Sequence, residues 1–143
     1  MVQSCDRRVL VVHDDPTFTA GLKKALGVAV DVAVDGRAAV AAIARNRPAL
    51  ICVSLNLPRD SGYDLCEQIR TDRGLDQVQI LVLGDRQSPE VIAYAEEAGA
   101  NAYLARPFTI ELLARHVRTM LAIDPEARPG AVHRRLDEGL ALE

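Results

Sequence analysis

Tryptophan is absent from this sequence, and tyrosine and phenylalanine bring the aromatic content to only 3%. A chain so poor in flat rings has little with which to stack single-stranded bases, and a net charge of -3 gives no electrostatic reason to bind a polyanion. Cysteine is scarce too. Cys5, Cys52 and Cys66 are odd in number and show neither CxxC nor Cys/His ligand spacing, which favours reduced thiols over a disulfide or zinc framework. No apolar run approaches the roughly 20 residues of a membrane span. The first run, Val9 to Val12, follows Asp6, Arg7 and Arg8 and is too short for a signal segment. These absences lead us to expect a cytoplasmic protein with neither nucleic acid nor membrane as partner. Internal repeats and low-complexity runs are also missing.

What remains is an ordinary globular composition, 49% hydrophobic and 26% charged over 143 residues, enough for one core without staples. Apolar runs suited to buried strands recur at Val9 to Val12, Val28 to Val34, Ala49 to Val53, Val78 to Leu83 and Ala102 to Ala105. Helical spacing separates them, in Phe18/Leu22/Ala25/Leu26, Ala39/Val40/Ile43, Leu65/Ile69 and Val91/Ile92/Ala95, and Leu113/Val117/Leu121 follows the last. Asp15-Pro16 and Ser88-Pro89 place a cap residue before a first-turn proline, and Gly27, Gly74 and Gly99 stand where helices should stop. The order is (βα)5, an α/β chain whose right-handed crossovers predict one doubly wound, parallel five-stranded sheet.

In such sheets the working crevice lies at the carboxyl ends of the strands. That points to His13-Asp14-Asp15, Ser54 to Pro58, Gly84-Asp85 and Ala105-Arg106-Pro107. Dinucleotide binding needs a glycine-rich turn after the first strand, whereas this turn carries two carboxylates and a proline that would repel phosphate. A P-loop and a G-x-S-x-G elbow are missing, and Cys52 has no neighbouring histidine in sequence to activate it, so no enzyme is expected.

Several motifs now fall into one frame: Val11-Val12-His13-Asp14-Asp15-Pro16, Leu26-Gly27 with Asp35-Gly36, Ser54-Leu55-Asn56-Leu57-Pro58 with Gly62-Tyr63, Ala98-Gly99-Ala100 with Tyr103, and Arg106-Pro107-Phe108. On these residues the stretch from Arg8 to about Leu121 resembles the receiver domain of bacterial two-component response regulators, a flavodoxin-like fold. The separations of Asp14, Ser54, Gly84 and Arg106, at 40, 30 and 22 residues, are ordinary for that family. The resemblance implies a phosphoryl group taken from a histidine kinase onto an Asp ending the third strand. Two acids after the first strand would hold Mg2+, a Thr/Ser after the fourth would contact the phosphoryl oxygens, and a Lys before the fifth-strand proline would pair with the acyl phosphate.

This chain departs at nearly every one of those positions, with His13 for the first acid, Ser54 for the acceptor, Gly84 for the hydroxyl residue and Arg106 for the lysine. Only Asp14 keeps its identity. A serine ester would be a stable product where an acyl phosphate is readily discharged. Each lost carboxylate removes about 4 kcal/mol of attraction per unit cation charge at an effective dielectric of about 20, so Mg2+ binding should be lost or very weak and no cofactor is expected. His13 and Asp14 supply two ligands, too few for a transition-metal site. Asp15 before Pro16 reads as a helix N-cap, and Asn56 stands where the family offers Mg2+ a backbone carbonyl. The reading is a degenerate receiver, a pseudoreceiver that acts in a phosphorelay-type pathway by protein-protein interaction without aspartyl phosphorylation. The alternative is an atypical phosphoacceptor using Asp14, Asp15 or Ser54.

The resemblance further implies docking by a histidine kinase or an output domain, or homodimerisation, on a face spanning about 89–97, 102–105 and 110–121. Tyr103, at the family's aromatic switch position, belongs to this region and is read as packing. Leu113, Val117 and Leu121 should turn to the sheet and leave Leu112, Arg115 and His116 outward. A cis Arg106-Pro107 bond is expected from the resemblance, as is a metal-free crevice neutralised by an Arg106–Asp14 ion pair with Asp85 as the competing acceptor. Residues 1–122 form the expected domain. Residues 123–143 read as a linker and tail with helical spacing over 132–142, whose closing Leu142-Glu143 is also what a vector scar would leave. Arg128, Arg134 and Arg135 stand against Asp124, Glu126, Asp137, Glu138 and Glu143, so the tail is not basic enough for an RNA-binding arm.

Overall fold

Residues 8–57, 61–86 and 88–122 are described by a computed structural model; Cys5, Pro58 and the tail lie outside them. The strands are β1 (Val9–Val12), β2 (Val30–Ala33), β3 (Leu50–Ser54), β4 (Gln79–Gly84) and β5 (Ala102–Ala105). Alternating with them are α1 (Pro16–Leu26), α2 (Gly36–Arg45), α3 (Gly62–Arg70), α4 (Pro89–Glu97) and α5 (Ile110–Leu121), with a 3-10 turn at Arg73–Leu75. All pairings are parallel, in the order β2-β1-β3-β4-β5, which is the doubly wound, flavodoxin-like sheet the sequence implies. Every residue of β1, β3, β4 and β5 is buried, as a sheet covered on both faces requires.

Cap chemistry starts and stops the helices. Asp15 accepts hydrogen bonds from the Thr17 and Phe18 amides at the head of α1, and Ser88 accepts one from Val91 at the head of α4. Gly27 closes α1 at φ 68°, in the left-handed region that favours glycine. Gly74 corrects the reading: α3 is closed by Thr71, and Gly74 lies inside the 3-10 turn, where the carboxylate of Asp72 accepts from its amide. β2 is also shorter than its apolar run. Val32 and Val34 are exposed at the sheet edge, so the run from Val28 overstated what the core takes up.

α5 corrects a second expectation. Leu113, Val117 and Leu121 are buried as expected, but Ala114, His116 and Met120 are buried with them. A helix that packs on both the sheet and a neighbouring helix needs a stripe wider than one i, i+4 row, and the i+3 positions fill it. His116 therefore faces inward. The guanidinium of Arg118 donates to the Ala25 carbonyl, tying α5 to the end of α1.

At the amino edge of the sheet Arg70 is a half-buried cation that donates to four amide oxygens: Gly99 O at 3.0 Å, Leu75 O at 2.9 Å, Asp76 O at 3.3 Å and Asn101 Oδ1 at 2.9 Å. Asn101 Oδ1 also accepts the Ile80 amide, so one guanidinium joins α3, the turn before β4 and the turn before β5. Burial lowers its pKa from the usual arginine range. Replacing Arg70 with Ala should cost about 3 kcal/mol in urea unfolding, because several acceptors lose their donor together. Arg70→Lys should recover only a minor part, since a single ammonium cannot span the fork's reach.

Candidate functional site

The carboxyl ends of β1, β3, β4 and β5 bring His13, Asp14, Asp15, Ser54, Asn56, Gly84, Asp85 and Arg106 to one edge of the sheet. His13 follows β1 and is buried. Its ring stacks on Phe18 of α1 at 4.2 Å between centroids, and Phe18 meets Phe108 edge-on at 6.4 Å. Both phenylalanines of the chain thus wall this corner. His13 Nδ1 accepts the Asp15 amide at 3.1 Å, which places the proton of the neutral ring on Nε2, and Nε2 has no hydrogen-bond partner among the described residues. Burial pushes the imidazole pKa down, Asp14 and Asp15 push it up, and Arg106 pushes it down.

The two carboxylates after His13 have separate duties. Asp15 caps α1. Asp14 is 49% exposed, with Oδ1 lying 3.6 Å from His13 Nδ1. Ser54, the last residue of β3, is only 4% exposed, and its hydroxyl oxygen accepts the Asn56 amide at 3.2 Å.

Arg106 does not pair with Asp14. Its Nε lies 3.1 Å from Asp85 Oδ1, while Asn56 Nδ2 donates to Asp85 Oδ2 at 3.0 Å. The Asp85 carboxylate therefore bridges the loops after β3 and β5 across the crevice mouth. A short step from the end of β4 explains the choice: Asp85 directly follows Gly84, whose carbonyl already accepts the Arg106 amide, so the two side chains start side by side. Both are more than half exposed, and such a pair is worth at most about 1 kcal/mol. The Arg106-Pro107 bond is cis, as expected.

Tyr103 corrects its placement in an interaction face, for the whole residue is buried and its hydroxyl donates to the Arg86 carbonyl. Desolvation raises its phenol pKa. The same cause pushes the thiols of Cys52 and Cys66 up to about 12; both are free and buried, which leaves no reactive thiolate there. Among the described residues, no three His, Cys, Asp or Glu side chains converge as a cation site, and no helix is long and apolar enough to cross a membrane.

A family model for the response regulator receiver domain matches residues 9–118. The chain belongs to the response-regulator receiver family. It is 37% identical over 117 residues to the response regulator MprA of Mycolicibacterium vanbaalenii and 35% identical to that of Mycobacterium leprae, covering 80% of this chain in each case. It spans about half the length of these curated relatives. Among solved structures, a putative response regulator from Chloroflexus aurantiacus superposes with a TM-score of 0.74 at 32% identity, over 82% of this chain and 98% of that one. The chemotaxis response regulator CheY4 of Vibrio cholerae gives 0.74 at 28% identity, over 79% and 97%. Receiver architecture in two-component signalling is thereby established for the chain.

Sequence reasoning missed the His13–Phe18–Phe108 stack and the Asn56–Asp85 bond. The stack carried a signal, because the spacing of five residues sets Phe18 in the first turn of α1 beneath the β1 end. The bond carried none, since it joins loops 29 residues apart. For His13 the sign of the pH dependence follows from its lowered pKa. The neutral ring contributes stability in full above the unfolded value, near 6.5, and that contribution disappears as pH falls through the folded value. Between pH 8 and pH 5 the parent protein should lose more unfolding free energy than the His13→Gln variant, measured by urea denaturation at each pH.

Proposed function

We propose that this receiver is a pseudoreceiver, a signalling module of a phosphorelay-type pathway that works through protein-protein contact without phosphorylation of a carboxylate in its crevice. The observation that carries the reading is the end of β3. Ser54 stands at the acceptor position, is buried, and uses its hydroxyl oxygen on the Asn56 amide. Neither a phosphodonor nor a Ser/Thr kinase has ready access to it. Arg106, the cation available for charge developing on a transferring group, lies beside Asp85 and not beside Asp14 or Ser54.

The residues do not fit the Mg2+ that the family implies. His13 takes the place of a hard oxygen ligand, lies buried against Phe18 and spends Nδ1 on a backbone amide, and Asp15 is engaged as a helix cap. Asp14 is left as the one exposed carboxylate of the β1 turn without a structural duty, which is short of the oxygen set Mg2+ demands. The function is that of a binding module in place of an enzyme.

The partners that suit such a module are a histidine kinase, an output domain or a second receiver. The docking face is formed by α4 and α5, with half-buried Leu112 and exposed Arg115 at its surface and with the buried β5, Tyr103 included, and His116 now removed from it. Alanine at Leu112 and Arg115 should weaken association, followed by analytical ultracentrifugation with the candidate partner, while shifting the melting temperature by less than about 2 °C.

Beryllofluoride with millimolar Mg2+ tests the crevice. The amide NMR spectrum and the melting temperature should both stay unchanged, and Ser54→Asp alone should not restore a response, since His13, Gly84 and Arg106 still differ from the working set. Saturable shifts around Ser54 and Gly84 in the parent protein would instead support the atypical phosphoacceptor, with Asp14→Asn then locating the acceptor.

A further inference from the structure

Between Arg37 and Arg45, α2 reads Ala38-Ala39-Val40-Ala41-Ala42-Ile43-Ala44, apolar without a break. A helix lying on a sheet needs one apolar face, whereas a helix apolar all round is one that packs on more than its own sheet. Ala39 and Ala42 are buried and Ala38 and Ile43 half-buried, but Val40, Ala41 and Ala44 are exposed, Val40 at 41%. These three line a groove of about 500 Å³ between α2 and α3, together with Leu65 and with Arg37 and Asp64. Among the described residues neither of the two charged groups forms an ion pair. Both helices follow parallel strands and run in the same direction, and Arg37 and Asp64 stand in their first turns, so the two charges lie at one height on opposite walls.

We propose that this groove is the contact of a homodimer, in which a second copy of the chain docks face to face about a two-fold axis running along the groove. Such an axis sets α2 of one copy opposite α3 of the other without a change of height. Arg37 of each copy then meets Asp64 of the other, so the pair forms twice in one isologous interface. The same approach covers Val40, Ala41 and Ala44, which removes apolar surface from water on both copies.

Charge selects a second copy as the occupant. The groove lining carries one cation and one anion, so two copies approach without net repulsion and with each unpaired group matched. A foreign partner would have to bring an anion and a cation at the same spacing and height, a pattern the chain's own groove already has. The other large hydrophobic exposed on a helix, Tyr94, sits on α4 between Glu90 and Glu97, where a second copy would meet like charge. Docking at α2 and α3 leaves α4 and α5 open to another protein. The dimer thus goes beyond the pseudoreceiver reading and stands whether or not the crevice accepts a phosphoryl group.

Sedimentation equilibrium of the full chain tests the dimer. The contact is at the small end of specific interfaces, so dimer should accumulate between about 10 and about 500 µM. Arg37→Glu and Asp64→Arg each introduce two like-charge contacts and should weaken association about tenfold or more. An equimolar mixture of these two variants should recover it, because in the mixed dimer both contacts again join opposite charges. Val40→Asp should abolish association in the parent protein. All three positions are exposed, so the melting temperatures should shift by less than about 2 °C. A parent chain that stays monomeric throughout that range, single reversals that leave the dimer intact, or a mixture no stronger than its separate components would each overturn the proposal. So would a dimer that survives Val40→Asp and dissolves with Leu112→Ala, which would move the contact to α5.

Discussion

Parallel hydrogen bonding of β3 between β1 and β4 sets Val12, Val53 and Val82 level across the sheet, and β5 continues the row with Tyr103. Four strands that end together deliver four loops to one edge, and each loop supplies its polar residues to the same crevice. A slip of one residue in any pairing would turn every side chain of that strand to the other face and force both packed layers to rearrange.

Within the crevice, the charged and polar groups are largely satisfied by other parts of the protein. Asp15 is taken by α1, Asp85 and Arg106 neutralise one another with Asn56 beside them, and His13 is kept neutral by burial against Phe18. Asp14 retains the most freedom. The carboxylates of Asp15 and Asp85 are each engaged within the protein, and the guanidinium of Arg106 lies beside Asp85.

The two edges of the sheet are built differently. At the amino edge Arg70 gathers backbone carbonyls and Asn101 in a half-buried cluster, where each bond is shielded and costly to lose. At the carboxyl edge the Asp85 contacts to Asn56 and Arg106 are exposed and individually weak, so that edge relies on the packing of His13, Phe18 and Tyr103 for its order.

Much of this was legible in the amino-acid order alone. Buried strands advertise themselves as continuous apolar runs, caps such as Asp15-Pro16 and Ser88-Pro89 act within one turn, and the glycine and proline punctuation is local; all of these are short-range effects that a linear reading captures. The departures at His13, Ser54, Gly84 and Arg106 were visible in the same way, as residue types at fixed spacing. Tertiary structure decided the rest. Whether Arg106 met Asp14 or Asp85 depended on which loop lay nearer in space, and the inward turn of His116 depended on α5 having two neighbours to cover. Only folding brought Arg37 and Asp64 to one groove, because a space shared by neighbouring helices has no signature along the chain.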